Sequence, residues 1–257
     1  MQLIAKALLS QRLVELVARR QKLSTSPGLA LVWVGEDKQT ATYIRAKQAM
    51  AKKLDCHFFL HHFPTASQQQ LESMLDGLNR RQDIDGIVLQ LPLPKSLDTE
   101  ALIQKVNPIK DIDNLSGNSP YDSPTPSSIM ALLSYHQIAI KDLKTVVLGM
   151  GKLVGGPLAK VFAANNWPLT VIAKQAKSQA ENIRQHDLLI SATGVRGLVA
   201  PEMVHQEMVV VDGSGLDVDV KTIEPLVKKI TPTKGAIGPL TVSFLFENLL
   251  TAAIRKS

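Results

Sequence analysis

Cysteine is almost missing from this chain: Cys56 is the single thiol in 257 residues. An internal disulfide is therefore excluded, as is any zinc cluster built on cysteines. Aromatic residues make up only 4%. The hydrophobic 45% is carried instead by aliphatic runs, as the buried strands of α/β folds require. No apolar run reads as a membrane span, and Lys6 and Arg12 interrupt the apolar residues of the opening segment, so no signal peptide is expected. A soluble, cytoplasmic protein is the expectation. Lysine and arginine outnumber the acids, 29 to 23, for a net charge of +6. Pairs such as Arg19-Arg20 and Lys228-Lys229 sit as they would at solvated helix ends. A nucleic-acid binder would show a concentrated patch or a reading motif, and the sequence has neither. The six histidines lack metal-ligand spacing; His57, His61 and His62 fall in a strand-like run from Cys56 to Phe63. Hence no metal, no nucleic acid and no membrane is expected.

What the chain has is alternation. Leu3, Ile4, Leu8, Leu9, Leu13, Leu16 and Val17 recur at helical spacing and predict an amphipathic helix over 3–22. Pro27-Gly28 breaks it, and Leu29 to Val34 follows as a buried strand ended by Gly35. Thr40 is a candidate N-cap for a helix running to about Leu54. A strand (56–60), a helix (67–81), a strand (86–90) and a helix (98–105) continue the pattern. A polar elbow, 106–114, precedes a stretch rich in serine, proline and glycine, 117–128, which predicts a linker between two domains. From Lys144 the pattern restarts, with strands over 145–148, 169–173, 188–191, 208–211 and 230–232. A helix is predicted over 153–165, and another closes the chain to about Ile254. Such alternation implies parallel sheets with helices on both faces.

Four stretches carry candidate chemistry. Tyr43 and Lys47 are four apart, so one helix face holds both. A phenol can hold an amine in place, and burial lowers the amine toward neutrality, which suits proton transfer. The same spacing equally describes a surface lysine beside a half-buried tyrosine. Gln90 stands at a strand's carboxyl end, where ligands of such sheets bind, and Leu91-Pro92-Leu93-Pro94 stiffens the exit. Asp111 and Asp113 would point the same way in an extended elbow and differently in a turn. Gly149-Met150-Gly151-Lys152-Leu153-Val154-Gly155 joins a strand to a helix, the context in which glycines admit a pyrophosphate to free N–H groups. Tight packing alone would also explain those glycines. The next strand ends without the acid that reads a ribose 2′-hydroxyl; Lys174 and Lys177 are there instead, and Lys152 adjoins the turn. NADP is the preferred cofactor on that ground, with NAD as the alternative. Thr193-Gly194 and Gly213-Ser214-Gly215 form small-residue turns at two further strand ends, across which a cofactor could lie.

In order and spacing, Val34-Gly35-Glu36-Asp37 with Tyr43 and Lys47, Gln90 to Pro94, Lys110-Asp111-Ile112-Asp113, and Gly235 to Thr241 resemble the bifunctional methylenetetrahydrofolate dehydrogenase/methenyltetrahydrofolate cyclohydrolase family. The similarity spans nearly the whole chain. It implies a three-layer α/β catalytic domain (1–118, with 240–257 packing back as the closing helix) and a Rossmann-like nucleotide domain (119–239), with a cleft between them. It implies a homodimer that oxidises 5,10-methylenetetrahydrofolate with NAD(P)⁺ and hydrolyses the methenyl product to 10-formyltetrahydrofolate. By the same resemblance Lys47 is the key catalytic group and Tyr43 orients it near the folate. Gln90 hydrogen-bonds the lysine, Asp113 binds the pterin, and Leu91, Pro92, Gly235, Gly238, Pro239, Leu240 and Thr241 line the folate pocket. Departures cluster at cofactor and loop positions. The family's Gly-Arg-Ser reads Gly149-Met150-Gly151 here, and its Pro-Cys-Thr-Pro-x-Gly reads Ser123-Pro124-Thr125-Pro126-Ser127-Ser128. A glycine gives way to Asn114, and Pro-Gly-Gly-Val-Gly-Pro becomes Lys234-Gly235-Ala236-Ile237-Gly238-Pro239. The pattern fits an active but divergent enzyme, or one that keeps a single activity. A drifted binding module would have no reason to spare Tyr43, Lys47, Gln90 and Asp113. A shikimate-type dehydrogenase would explain the glycine turn but not the segment at Gln90.

Overall fold

The run Gly28–Val34 is buried almost throughout, because it becomes the middle strand of a three-stranded parallel sheet covered on both faces. The computed structural model describes residues 1–256, and the chain divides into two compact units. The first consists of Gln11–Pro124 and the chain from Val242 on; the second of Met1–Ser10 and Thr125–Thr241.

The elements of the first stretch are α1 (Lys6–Arg20), β1 (Gly28–Val34), α2 (Lys38–Lys53), β2 (His57–Phe63), α3 (Gln68–Arg80), β3 (Gly86–Leu89) and α4 (Thr99–Lys105). Strand order is β2-β1-β3, all parallel. Among the described residues β2 pairs only with β1, and its side chains are exposed or partly buried in keeping with an edge. Side chains cap three helices: Asp37 accepts from Thr40 N at 2.6 Å, Ser67 from Gln70 N at 3.2 Å and Asp98 from Ala101 N at 3.0 Å. The α2 cap is thus Asp37 rather than Thr40, which supplies the N–H being capped.

The second unit holds α5 (Pro124–Tyr135), β4 (Thr145–Leu148), α6 (Gly155–Ala164), β5 (Leu169–Ile172), α7 (Ala180–Ile183), β6 (Leu188–Ser191), β7 (Val209–Asp212), α8 (Val220–Ile223) and β8 (Lys229–Ile230). Its parallel sheet runs β5-β4-β6-β7-β8. The expected linker is shorter than its composition suggests, since Pro124 and Pro126 sit in the first turn of α5, where proline's missing N–H costs nothing. Ile129, Leu132 and Leu133 on that helix are fully buried in the second unit's core.

Two boundaries also move. The units part at 124/125 and 241/242 rather than 118/119 and 239/240. The first ten residues, expected with the catalytic domain, side with the other unit: Gln2 bridges Ile230 in parallel, Leu3 N donates to Ile230 O at 2.7 Å, and Leu3 and Ala5 join its core. The last helix, α9 (Ile237–Lys256), is long and apolar enough by length and composition to cross a membrane, contrary to the sequence reading. Its apolar side is spent inside the protein: Val242, Leu245, Phe246, Leu249 and Leu250 are core residues of the first unit. Arg12 and Arg19 of α1 clasp Glu247 of α9 at 2.7 and 2.9 Å.

Candidate active site

Lys47 lies on the buried side of α2, 8% exposed. Its Nζ donates to Oε1 of Gln90 at 2.8 Å, and Gln90 Nε2 donates onward to Leu91 O at 2.9 Å. The backbone N–H of Gln90 bonds Val32 O, so the last rung of the β1–β3 pairing sets where the amide stands. The Leu91–Pro92 peptide is cis. Burial lowers the pKa of the Lys47 amine from the ordinary lysine range, and the Asp113 carboxylate opposes that fall. Burial likewise raises the Asp113 carboxyl, Lys47 opposes the rise and Asp111 reinforces it. The two groups therefore act on one another, and the lysine is biased toward the neutral form that can accept a proton.

The elbow before this carboxylate turns, and the two aspartates part company. Asp111 is 3% exposed and structural: it accepts from Leu115 N, Ser116 N and Ser116 Oγ at 3.2, 2.9 and 2.8 Å. Asn114 has φ 51°, a left-handed conformation that asparagine tolerates in place of glycine. From α9, Asn248 Nδ2 donates to Ile112 O and Asp122 O at 2.8 and 2.9 Å, pinning the loop that carries Asp113. Tyr43 lies one turn before Lys47 and is 39% exposed. No hydrogen bond joins it to Lys47 among the described residues; Gln90, not the phenol, fixes the amine. Leu91 is half-buried and Pro92 exposed in the same unit.

Gly235 to Thr241 belong to the second unit. Gly235 takes φ 82° in a turn, whereas Gly238, Pro239, Leu240 and Thr241 already lie in α9. Leu240 is completely buried in that unit's core, a packing position. Thr241 Oγ1 accepts from Ser128 Oγ at 3.3 Å.

The other candidates gather at the carboxyl end of the five-stranded sheet. Strand order reverses between β4 and β6, and ligands of open α/β sheets bind at that point. Gly149 follows β4 with φ 93°, and a Cβ there would meet Thr193 Cγ2 at 3.0 Å and Ala192 O at 3.1 Å. At Gly155 it would meet Gly149 O at 1.9 Å, so turn and helix approach too closely for any side chain. At Gly151 and Gly194 it would meet nothing within 4 Å, which leaves room for a ligand to reach the backbone. The α6 N-terminus, at Val154-Gly155, carries no side-chain cap, unlike α2, α3 and α4. Open glycine backbone beside an uncapped helix start fits a pyrophosphate. Met150, Lys152 and Lys174 are exposed, and no carboxylate follows β5, where Ala173, Lys174 and Gln175 stand.

Two acids that sequence reasoning passed over organise this end. Asp212 Oδ1 accepts from Ser214 N, Ser214 Oγ and Gly215 N at 3.0, 2.8 and 2.7 Å, and Oδ2 from Val218 N at 3.0 Å. Asp217 is fully buried and binds the loops after both β6 and β7. Its signal was an acid between apolar residues directly after a strand-end turn.

Residues 2–113 match the catalytic domain of tetrahydrofolate dehydrogenase/cyclohydrolase, and residues 123–257 match the NAD(P)-binding domain of the same family. The bifunctional protein FolD of Lactobacillus acidophilus is 31% identical over 269 residues, covering 97% of this chain and 95% of that protein. The Trypanosoma brucei methylenetetrahydrofolate dehydrogenase-cyclohydrolase, solved with NADP and an inhibitor, superposes with a TM-score of 0.91 at 29% identity, over 99% of this chain and 97% of that one. Shikimate 5-dehydrogenase of Thermus thermophilus shares the fold only, with a TM-score of 0.55 at 18% identity over 90% of this chain and 100% of that one.

Proposed function

The chain belongs to the tetrahydrofolate dehydrogenase/cyclohydrolase family, and from that premise we propose that it oxidises 5,10-methylenetetrahydrofolate to the methenyl cation with NADP⁺ and hydrolyses that cation to 10-formyltetrahydrofolate. The observation that carries the reading is the buried Lys47 amine held on Gln90 beside Asp113. A nicotinamide nucleotide bound in the glycine crevice would supply the hydride acceptor. The residues of the chain do the rest. Hydrolysis of a cation by water releases one proton, and a neutral amine can accept it where a permanently charged group could not. Gln90 Oε1 takes one N–H of Lys47 and so leaves the nitrogen lone pair to be aimed. Asp113 offers acceptor oxygens to the donor edge of a pterin. Tyr43, half out of the protein one turn earlier, supplies a ring face for the folate. NADP rather than NAD is supported by the missing acid after β5 and by Lys174, which makes no ion pair among the described residues. Gly149, Met150, Gly151, Lys152, Val154, Gly155, Thr193, Gly194, Gly213, Ser214 and Gly215 form the rest of that crevice's lining in this reading. We propose also that two copies associate, with the β2 edge and its 43% exposed Leu60 as the surface.

The test is a paired assay on methylenetetrahydrofolate with NADP⁺ and then NAD⁺, following reduced nicotinamide and the methenyl species separately. Nicotinamide reduction followed by decay of the methenyl species is expected with NADP⁺. Lys47→Met should stop the hydrolysis while the protein stays folded. Silence with both nucleotides in folded protein that still binds folate would favour a binding module instead.

A further inference from the structure

Asp217 is a carboxylate with no cation. It is 0% exposed, and among the described residues no ion pair reaches it. A buried charge of this kind is costly unless hydrogen bonds replace its water. Four donors do so here. Oδ2 accepts from Ser191 Oγ at 2.5 Å, Thr193 N at 2.7 Å and Thr193 Oγ1 at 2.9 Å; Oδ1 lies 2.7 Å from Ser214 Oγ, whose one proton is shared with Asp212 Oδ1 at 2.8 Å. The donors come from the last residue of β6, the loop after β6 and the loop after β7. The main chain repeats the connection, with Gly197 N donating to Leu216 O and Val199 N to Asp217 O, both at 3.0 Å. Asp212 holds the β7 loop alone. Asp217 is the side chain that joins the two loops. Thr193 also abuts the glycine turn, since a Cβ on Gly149 would reach its Cγ2 at 3.0 Å. Wherever Asp217 places Thr193, the gap between the turn after β4 and the loop after β6 follows.

We infer that Asp217 is a positioning residue for the nicotinamide nucleotide, acting through Thr193-Gly194 and Ser214-Gly215 to set the crevice in which the nucleotide lies. This rests on the reading of the second unit as the nucleotide domain. Asparagine can imitate the arrangement in part: its oxygen can serve Thr193 and Ser191 while its NH₂ donates to Ser214 Oγ, without the charge. Alanine can serve none of them.

The experiment is equilibrium binding of NADP⁺ and NAD⁺ to the full chain, wild type against Asp217→Ala and Asp217→Asn. Alongside it, hydrolysis of methenyltetrahydrofolate is measured without nucleotide. Loss of the charge-assisted bonds should raise the nucleotide Kd about tenfold or more in Asp217→Ala, and about threefold in Asp217→Asn, where neutral bonds remain. Hydrolysis should keep its kcat and KM in both. Unchanged Kd in either folded variant overturns the inference, and so does an equal loss of hydrolysis, which would mark Asp217 as support for the fold at large. If Asp217→Ala does not fold, Asp217→Asn decides alone. Wild-type protein that binds neither nucleotide would overturn the domain reading itself, an outcome separate from tight wild-type binding with indifferent variants.

Discussion

Burial lowers the pKa of the Lys47 amine from 10.5, and this has a consequence for stability as well as chemistry. Between the lowered value and 10.5 the unfolded chain binds a proton that the folded one does not. Stability therefore rises with pH across that window, and at neutral pH the lysine works against the fold. Lys47→Met should accordingly lose hydrolysis and melt at a higher temperature than wild type at pH 7. A lower melting temperature would contradict the burial assigned to the amine. Asp113 sits on the other side of the balance, because its carboxylate favours the ammonium form. Asp113→Asn should shift the Lys47 titration to still lower pH, visible by NMR of the ¹³C-methylated lysine; a shift upward would disprove the coupling. Lys47 and Gln90 were legible in the sequence because one stands on a helix face and the other at a strand end, both regular positions. Their hydrogen bond was not legible from spacing, since it joins residues 43 apart in sequence through the sheet.

At the scale of elements, side chains from distant loops finish what local sequence begins. Lys110 Nζ donates to the carbonyls of Leu78, Asn79 and Arg81 at 3.2, 2.8 and 2.7 Å, closing the carboxyl end of α3. Positive charge there also suits the helix dipole. Lys110→Met leaves those carbonyls without their donor and should cost about 1–3 kcal/mol, read as a lower urea midpoint of unfolding. An unchanged midpoint would mean that water substitutes freely for the amine. Periodicity placed the strands and most helices because apolar side chains must face a core every two or 3.6 residues. It failed where polar chemistry decides. Pro124, Thr125 and Pro126 have a linker's composition, yet they start a helix whose apolar residues come only after them. Asp111 and Asp113 read as equals in sequence, but a turn gives one to the backbone and the other to Lys47. Asp217 has one donor nearby in sequence, Ser214, but the other three come from Ser191 and Thr193, on another strand and its loop, which no local pattern announces.

For the whole molecule, the two proposed activities draw on residues of different units, Lys47 in one and the glycine crevice in the other. The β2 edge, proposed as the contact between copies, gives a separate test. Leu60→Glu should shift sedimentation from dimer to monomer, and a wild type that sediments as a monomer would dismiss the surface. Neither unit is a continuous stretch of chain: the division falls within α1, at 124/125 and within α9. Met1 O and Leu3 N find their partners on Ile230. During synthesis, then, the segment around Leu3 waits until Ile230 has been made before it has that strand to pair with. No single cut in the gene can separate one unit from the other.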